Sequence, residues 1–123
     1  MISYSVYKVV HLLGVLMVFL ALGGVATNAI NSGAKKHAWS KAIGITHGIG
    51  LVLSLIGGFG LLARLGIIQG GFPGWVSAKL TIWILFAGLI AVIPRKPLWA
   101  KGIWPLIIIL GGVAAYLAGS KPF

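Results

Sequence analysis

Three ionisable side chains, His11, His47 and Lys79, interrupt long apolar stretches of the sequence. Such groups are costly inside an apolar helix, and in membrane proteins they usually mark a binding site or an ion path. The chain of 123 residues contains no Asp, Glu or Cys. Its side chains therefore cannot perform glycosidase-type catalysis, form carboxylate or thiolate metal sites, or build a carboxylate proton relay. The chemistry available to the residues inside the apolar stretches is therefore that of the histidine imidazole and the lysine amine.

The composition predicts a protein that spans a membrane several times. Hydrophobic residues make up 59% of the chain, charged residues 8%, and the mean hydropathy is +1.08. Soluble domains are roughly half apolar and about a quarter charged. The net charge of +10 does not indicate nucleic-acid binding, because the cations lie at the ends of apolar runs rather than together on one solvated face.

The apolar runs predict four transmembrane helices in a single domain that covers residues 1–123. Each run has about the 17–25 residues that cross a bilayer as a helix. The expected helices cover approximately residues 5–30, 38–66, 73–94 and 103–119. Short connectors rich in Gly, Pro or Lys separate them. Because short loops favour antiparallel neighbours, the predicted fold is an all-α membrane protein, an antiparallel four-transmembrane-helix bundle with up-down-up-down topology.

The distribution of cations predicts the orientation in the bilayer. Loops 31–41 and 94–102 carry six of the ten Lys and Arg residues. The positive-inside rule places these two loops in the cytoplasm and both termini on the other side, in the periplasm if the membrane is a bacterial inner membrane. The first run is interpreted as an uncleaved helix rather than a signal peptide, because three further spans follow it.

Four basic groups are predicted to converge near the outer face of the bundle. Lys79 lies one turn beyond Trp75, which is about 6 Å along the helix. His11 lies a similar distance beyond Lys8 on the first helix, and Arg64 ends the second helix on the same side. For Lys79 the alternative is that its amine bends up to the lipid headgroups. For His11 the alternative is a neutral ring hydrogen-bonded within the bundle.

A site that combines an imidazole with several cations suits haem b or another anionic porphyrin. Neutral imidazole is a common axial ligand of haem iron, so His11 is the predicted first ligand. The two propionates would pair with Lys8, Arg64 or Lys79. Lys79 as a neutral amine is an alternative second axial ligand.

His47 is predicted to lie at a different depth. It follows Lys41 by six residues, about 9 Å along the helix, which leaves it about 16 Å from the level of His11. Two axial ligands of one haem lie at nearly one depth, so this separation disfavours ligation of iron between His11 and His47. His47 is nevertheless kept as the other candidate second ligand. His37, in a loop beside lysines, is expected to be solvated.

Small residues are spaced for close helix packing. Gly44 and Gly48 form a GxxxG pair on the second helix, and Gly111, Ala115 and Gly119 form a stripe on the fourth. Such faces pack helices within one chain or between two chains. Ordinary bundle packing and a homodimer through the fourth helix are both compatible with the pattern.

Three segments together resemble a known group of small bacterial membrane proteins. They are YKVVHLLGV (7–15), HGIGLVLSLIGGFGLL (47–62) and GWVSAKLTIW (74–83). The pattern resembles the HemJ-type protoporphyrinogen oxidases, and it is similar to the wider SirB-like and CopD-like four-helix families. The likeness spans roughly residues 4–93.

The resemblance implies a membrane protein that binds haem b and oxidises protoporphyrinogen IX to protoporphyrin IX. The essential histidine of the HemJ-type proteins matches His11, and their essential lysine matches Lys79. His47 lies outside the pattern.

Three functions follow from these observations as alternatives. The first is binding of haem b, either for electron transfer or for HemJ-like porphyrinogen oxidation. The second is a non-enzymatic membrane scaffold without a cofactor, which would use the small-residue faces to pair helices. The third is a small anion transporter, because the chain has cations and no acids. Drug–proton exchangers of this size need an intramembrane glutamate, which this chain lacks.

Overall fold

The structure is a computed structural model that describes residues 3–31, 38–67 and 71–120. Within these ranges the chain is almost entirely helical and contains no strand. The helices are α1 (Tyr4–Asn31), α2 (Ser40–Arg64), α3 (Gly74–Arg95) and α4 (Ala100–Ser120), with a 3₁₀ turn at Pro97–Trp99 before α4. The prediction of an all-α chain with four long apolar helices is confirmed. The loop lysines 35 and 36, His37 and Lys121 lie outside the described residues.

Glycine and proline set the boundary between α2 and α3. Gly66 has φ +71°, a left-handed conformation that glycine adopts without steric cost. Its N–H donates to the Ala63 carbonyl oxygen at 3.2 Å, which closes the end of α2. Pro73 has an extended conformation (φ −62°, ψ 155°) immediately before α3. Its carbonyl accepts from the Val76 N–H at 3.1 Å in the first turn.

α1 packs along α2 more extensively than any other pair of helices packs. Near one end of the pair, Tyr7 lies against Gly60; towards the other end, Ile43 lies beside Gly24. Residue numbers therefore rise along α1 as they fall along α2. The short loop between them allows this arrangement, since neighbouring helix ends lie close together.

Glycines allow the backbones of α1 and α2 to touch. A Cβ at Gly14 would meet the backbone nitrogen of Ser54, and a Cβ at Gly50 would lie 2.8 Å from the Gly14 carbonyl oxygen. Both contacts are closer than ordinary packing, which is about 3.5–4.0 Å between carbons. Gly44 and Gly48 differ, because a Cβ at either one would meet nothing within 4 Å among the described residues. The GxxxG pair therefore faces outwards from the described part of the chain.

α1 also contacts α3 and α4, and α3 contacts α4. α2 approaches α3 over a short stretch, and between the described parts of α2 and α4 there is no close approach. On α4, Gly111 packs against the Phe19 ring, whereas a Cβ at Gly119 would meet nothing within 4 Å of the described residues. The predicted small-residue stripe is thus used within the chain at Gly111.

The surface of the bundle is apolar along the length of the helices. The four candidate spans have mean hydropathies of 2.4, 1.8, 2.2 and 1.9 in their most apolar windows. Large aliphatic side chains point outwards from the middle of the helices, including Leu16 and Leu20 on α1 (67% and 73% exposed) and Ile84 on α3 (62%). Each helix is long and apolar enough to cross a membrane, and an apolar surface of this extent is typical of contact with lipid.

Candidate functional site

A cavity of about 490 Å³ lies among all four helices. Its walls come from residues 4–19 of α1, 51–65 near the end of α2, 75–86 of α3 and 111–118 of α4. The cavity therefore occupies the end of the bundle where α1 and α3 begin. Most of the lining side chains are aliphatic or aromatic, and three are basic: Lys8, His11 and Lys79. The structure thus brings together three of the basic residues that the sequence predicted at one level.

The His11 ring is fixed by the backbone of α2. Its Nδ1–H donates to the Ser54 carbonyl oxygen at 2.7 Å, and a carbonyl can only accept, so Nδ1 carries the proton. In the neutral ring Nε2 then keeps its lone pair. Metal-binding histidines are commonly oriented in this way, with one ring nitrogen donating to a carbonyl and the other left as the ligand.

Two adjacent glycines of α2 make this contact possible. A Cβ at Gly57 would collide with the backbone of His11, and a Cβ at Gly58 would lie 3.4 Å from His11 Cε1 and Nδ1. Gly57 therefore sets how closely the helices approach, and Gly58 leaves room for the ring. The run of glycines after Ser54 consequently determines the position of the imidazole.

Two lysine side chains line the same cavity as the imidazole. Lys79 on α3 is partly buried, whereas Lys8 on α1 is exposed at the edge of the cavity. The sequence supplies no Asp or Glu side chain anywhere. The side chains that line the cavity therefore include basic groups and no carboxylate, and an anionic group is the complementary ligand.

Aromatic side chains close the inner part of the cavity. Trp83 Nε1–H donates to the Leu51 carbonyl oxygen at 3.1 Å, which ties α3 to α2. The rings of Phe19 and Phe86 meet edge to face, with centroids 5.2 Å apart and planes at 69°. Sequence reasoning missed Trp83. The available signal was its spacing, since residue 83 follows Lys79 by four and residues four apart share one helix face.

His47 lies away from this cavity. It is 3% exposed, and its Nε2–H donates to the Phe86 carbonyl oxygen at 3.0 Å. It precedes Ser54 by seven residues, about 10 Å along α2. Among the described residues His47 does not line the cavity. The structure therefore places the two candidate iron ligands of the sequence analysis in different surroundings, with Nε2 of His47 engaged by a backbone carbonyl.

Arg64 does not line the cavity either. It is the last residue of α2 and its side chain is exposed, while its neighbours Leu61, Leu62 and Leu65 line the wall. Gly57 is the α2 residue that touches His11, so Arg64 lies seven residues further along α2, about 10 Å beyond the predicted level, and on another face of the helix. Of the predicted cations, Lys8 and Lys79 are the two that reach the cavity.

The described residues contain no group of three or more His, Cys, Asp or Glu side chains that could hold a metal ion by themselves. The chain matches no family model, no curated protein and no solved structure.

Proposed function

We propose that the protein is a four-span membrane protein that binds haem b, or another anionic porphyrin, in the cavity between its helices. The observation that supports this most directly is the state of His11. Its ring lines the cavity, and its Nδ1 is committed to the Ser54 carbonyl oxygen. Nε2 is the nitrogen that would bind iron, oriented by a hydrogen bond of the usual outer-shell kind.

The cavity suits a flat anionic macrocycle in size, polarity and charge. Its volume of about 490 Å³ is within the range of roughly 300–1,000 Å³ typical of ligand sites. Apolar and aromatic side chains would cover the faces of the porphyrin. Lys8 and Lys79 would pair with the propionates, since charge-assisted contacts of this kind are the strongest hydrogen bonds in proteins. Gly58 leaves space beside the His11 ring.

The chemistry that haem supplies when bound is one-electron transfer at iron. The protein's own contribution is to hold Nε2 in one orientation, to place positive charge near the carboxylates, and to keep water from the inner part of the cavity through Trp83 and the Phe19–Phe86 pair. The resemblance to the HemJ-type proteins favours porphyrinogen oxidation as the reaction, with electron transfer as the alternative.

The membrane topology in this proposal is up-down-up-down, as an antiparallel bundle. It is supported by the opposite running order of the α1–α2 contacts and by the apolar outer surface. Cation counting places both termini outside, in the periplasm of a bacterial inner membrane. A C-terminal alkaline phosphatase fusion should be active and a C-terminal green fluorescent protein fusion dark. The reverse result would overturn the orientation but not the haem site.

A homodimer through small-residue faces is a further part of the proposal. The Gly44–Gly48 pair is exposed on α2 and meets nothing within 4 Å among the described residues. A face of this kind is suited to a second apolar helix.

Absorption spectroscopy tests the haem proposal. Protein purified from haem-replete cells should show a Soret band and, after reduction, the α and β bands of a b-type haem. His11→Ala should lose the spectrum, and His47→Ala, the matched control on α2, should retain it. A colourless wild-type protein that takes up no haemin on titration would overturn the proposal, and loss of the spectrum in both variants would point to ligation by the two histidines.

A further inference from the structure

Two residues of the cavity lining, one on α1 and one on α4, are also exposed on the sides of their helices. Leu12 on α1 and Ala115 on α4 both line the cavity, and both are exposed at the surface of the bundle. Further along the same two helices, the Phe19 ring packs on Gly111 and closes the contact between them. The two helices are therefore packed together at Phe19 and Gly111, whereas Leu12 and Ala115 lie beyond this contact and are exposed.

The part of the cavity wall that α4 forms consists of small side chains. The residues of α4 that line the cavity are Gly111, Ala114, Ala115 and Ala118, at spacings of three and four that put them on one helix face. None has a side chain longer than a methyl group. A face of this kind leaves space open that leucine or phenylalanine would fill.

Leu12 and Ala115 lie at the depth of the acyl chains if the helices span a bilayer. Ala115 precedes the end of α4 at Ser120 by five residues, about 7.5 Å along the helix. Leu12 follows the first residue of α1 by eight residues, about 12 Å. The nearby outer surface is apolar, with Leu16 67% and Ile108 65% exposed. The exposed sides of Leu12 and Ala115 therefore face lipid rather than water.

Polarity inside the cavity is arranged for an amphiphile. The cations Lys8 and Lys79 lie towards the end of the bundle, and the aromatic pair Phe19 and Phe86 lies towards its middle. This order matches a molecule in one leaflet, whose anionic group sits near the headgroups and whose apolar body sits among the acyl chains.

We infer that the cavity is loaded sideways from the membrane, through a lateral portal between Leu12 and Ala115. The inference depends on the proposed function for the identity of the ligand, an anionic porphyrin dissolved in the bilayer. The portal gives such a ligand a path to His11 that never leaves the leaflet.

Haemin transfer between vesicles tests the portal. Wild-type protein in liposomes is mixed with vesicles preloaded with haemin, and Soret absorbance reports uptake. Ala115→Phe should slow the rate of haemin uptake at least tenfold relative to the wild type, because the ring narrows the portal. Val113→Phe is the control, since Val113 is 43% exposed on the same helix and lies outside the cavity lining. Equal rates for the two variants would overturn the portal.

A second measurement applies even if Ala115→Phe folds poorly. The chain has no cysteine, so Ala115→Cys carries the only thiol and can bear a nitroxide label. If Ala115 faces lipid, the label should collide frequently with oxygen, which concentrates in lipid, and rarely with a water-soluble nickel chelate. Haemin should lower the frequency of oxygen collisions, because it occupies the portal beside the label. No change on adding haemin, or a label already shielded by a second copy of the chain, would overturn the portal. Failure of the wild-type protein to bind haemin in the vesicle assay would instead overturn the proposed function.

Discussion

Gly57→Ala should destabilise the protein and weaken its site, because this glycine sets the distance between α1 and α2 at His11. A methyl carbon at residue 57 would lie 2.6 Å from His11 Cα and 2.7 Å from His11 Cβ. Nonbonded carbons approach to about 3.5–4.0 Å, so the helices must separate locally by about 1 Å. Overpacking of this kind costs about 1–3 kcal/mol.

The same displacement acts on the hydrogen bond that orients the imidazole. His11 Nδ1 and the Ser54 carbonyl oxygen are 2.7 Å apart. Adding about 1 Å takes the pair beyond the range of roughly 2.7–3.2 Å for an N–H···O bond, with a further loss of about 0.5–1.5 kcal/mol. The total expected loss in the free energy of unfolding is about 1.5–4.5 kcal/mol.

Reversible unfolding in mixed micelles, followed by tryptophan fluorescence, measures this loss. Gly88→Ala on α3 is the control, because it lies outside the proposed Gly44–Gly48 dimer face and its Cβ would meet nothing within 4 Å among the described residues. It should leave stability unchanged or raise it by less than about 1 kcal/mol through helix propensity. Gly57→Ala should also bind haemin more weakly than Gly88→Ala. Two variants of equal stability and equal haemin affinity would refute the account of how His11 is positioned.

Two further predictions concern the cavity walls. Trp83→Phe removes the indole N–H that binds a carbonyl of α2, and it should lower the free energy of unfolding by about 0.5–3 kcal/mol in the same assay; unchanged stability would show that this bond contributes nothing. Lys79→Met should weaken haemin binding about tenfold or more through loss of a charge-assisted contact, as measured by Soret titration, whereas Lys101→Met on the exposed start of α4 should leave it unchanged. Equal affinities for these two lysine variants would exclude a role for Lys79 in binding.

The sequence predicted the helices because length and composition determine them. Four apolar runs of spanning length became four helices, and the Gly- and Pro-rich connector at 66–74 begins just after α2 ends at Arg64 and reaches the start of α3 at Gly74. α4 begins at Ala100, three residues before the expected position, because the 3₁₀ turn Pro97–Trp99 leads directly into it. Proline favours the first position of such a turn, where its fixed φ is compatible and no N–H is needed.

The direction of each side chain around its helix was harder to predict. Chain arithmetic gives height through the rise per residue, and it placed Arg64 near the level of His11. Direction depends on a rotation of about 100° per residue, and helices that are apolar on all sides give no reference for it. Arg64 lies on a face that does not line the cavity, and it is seven residues beyond Gly57, the α2 residue that touches His11.

The glycines of α2 indicate which face of that helix points towards α1. Gly57 and Gly58 mark the face of α2 that approaches α1, and they are the residues beside His11. The sequence also contains the outward pair Gly44 and Gly48, whose spacing is just as favourable for packing. Only the structure distinguishes the glycines that pack against α1 from those that face outwards.

Chemical rescue of His11→Gly tests whether His11 is the ligand of the haem iron. Without the side-chain imidazole, this variant should bind haemin only weakly. The vacated space beside Gly58 can accept free imidazole from solution. Millimolar imidazole should restore the Soret band of haem that co-elutes with the protein. Thermal unfolding of the variant without haemin serves as the control for folding. If His11→Gly binds haemin as the wild type does without imidazole, or if imidazole restores no protein-bound haem, His11 is not the iron ligand and the account is contradicted.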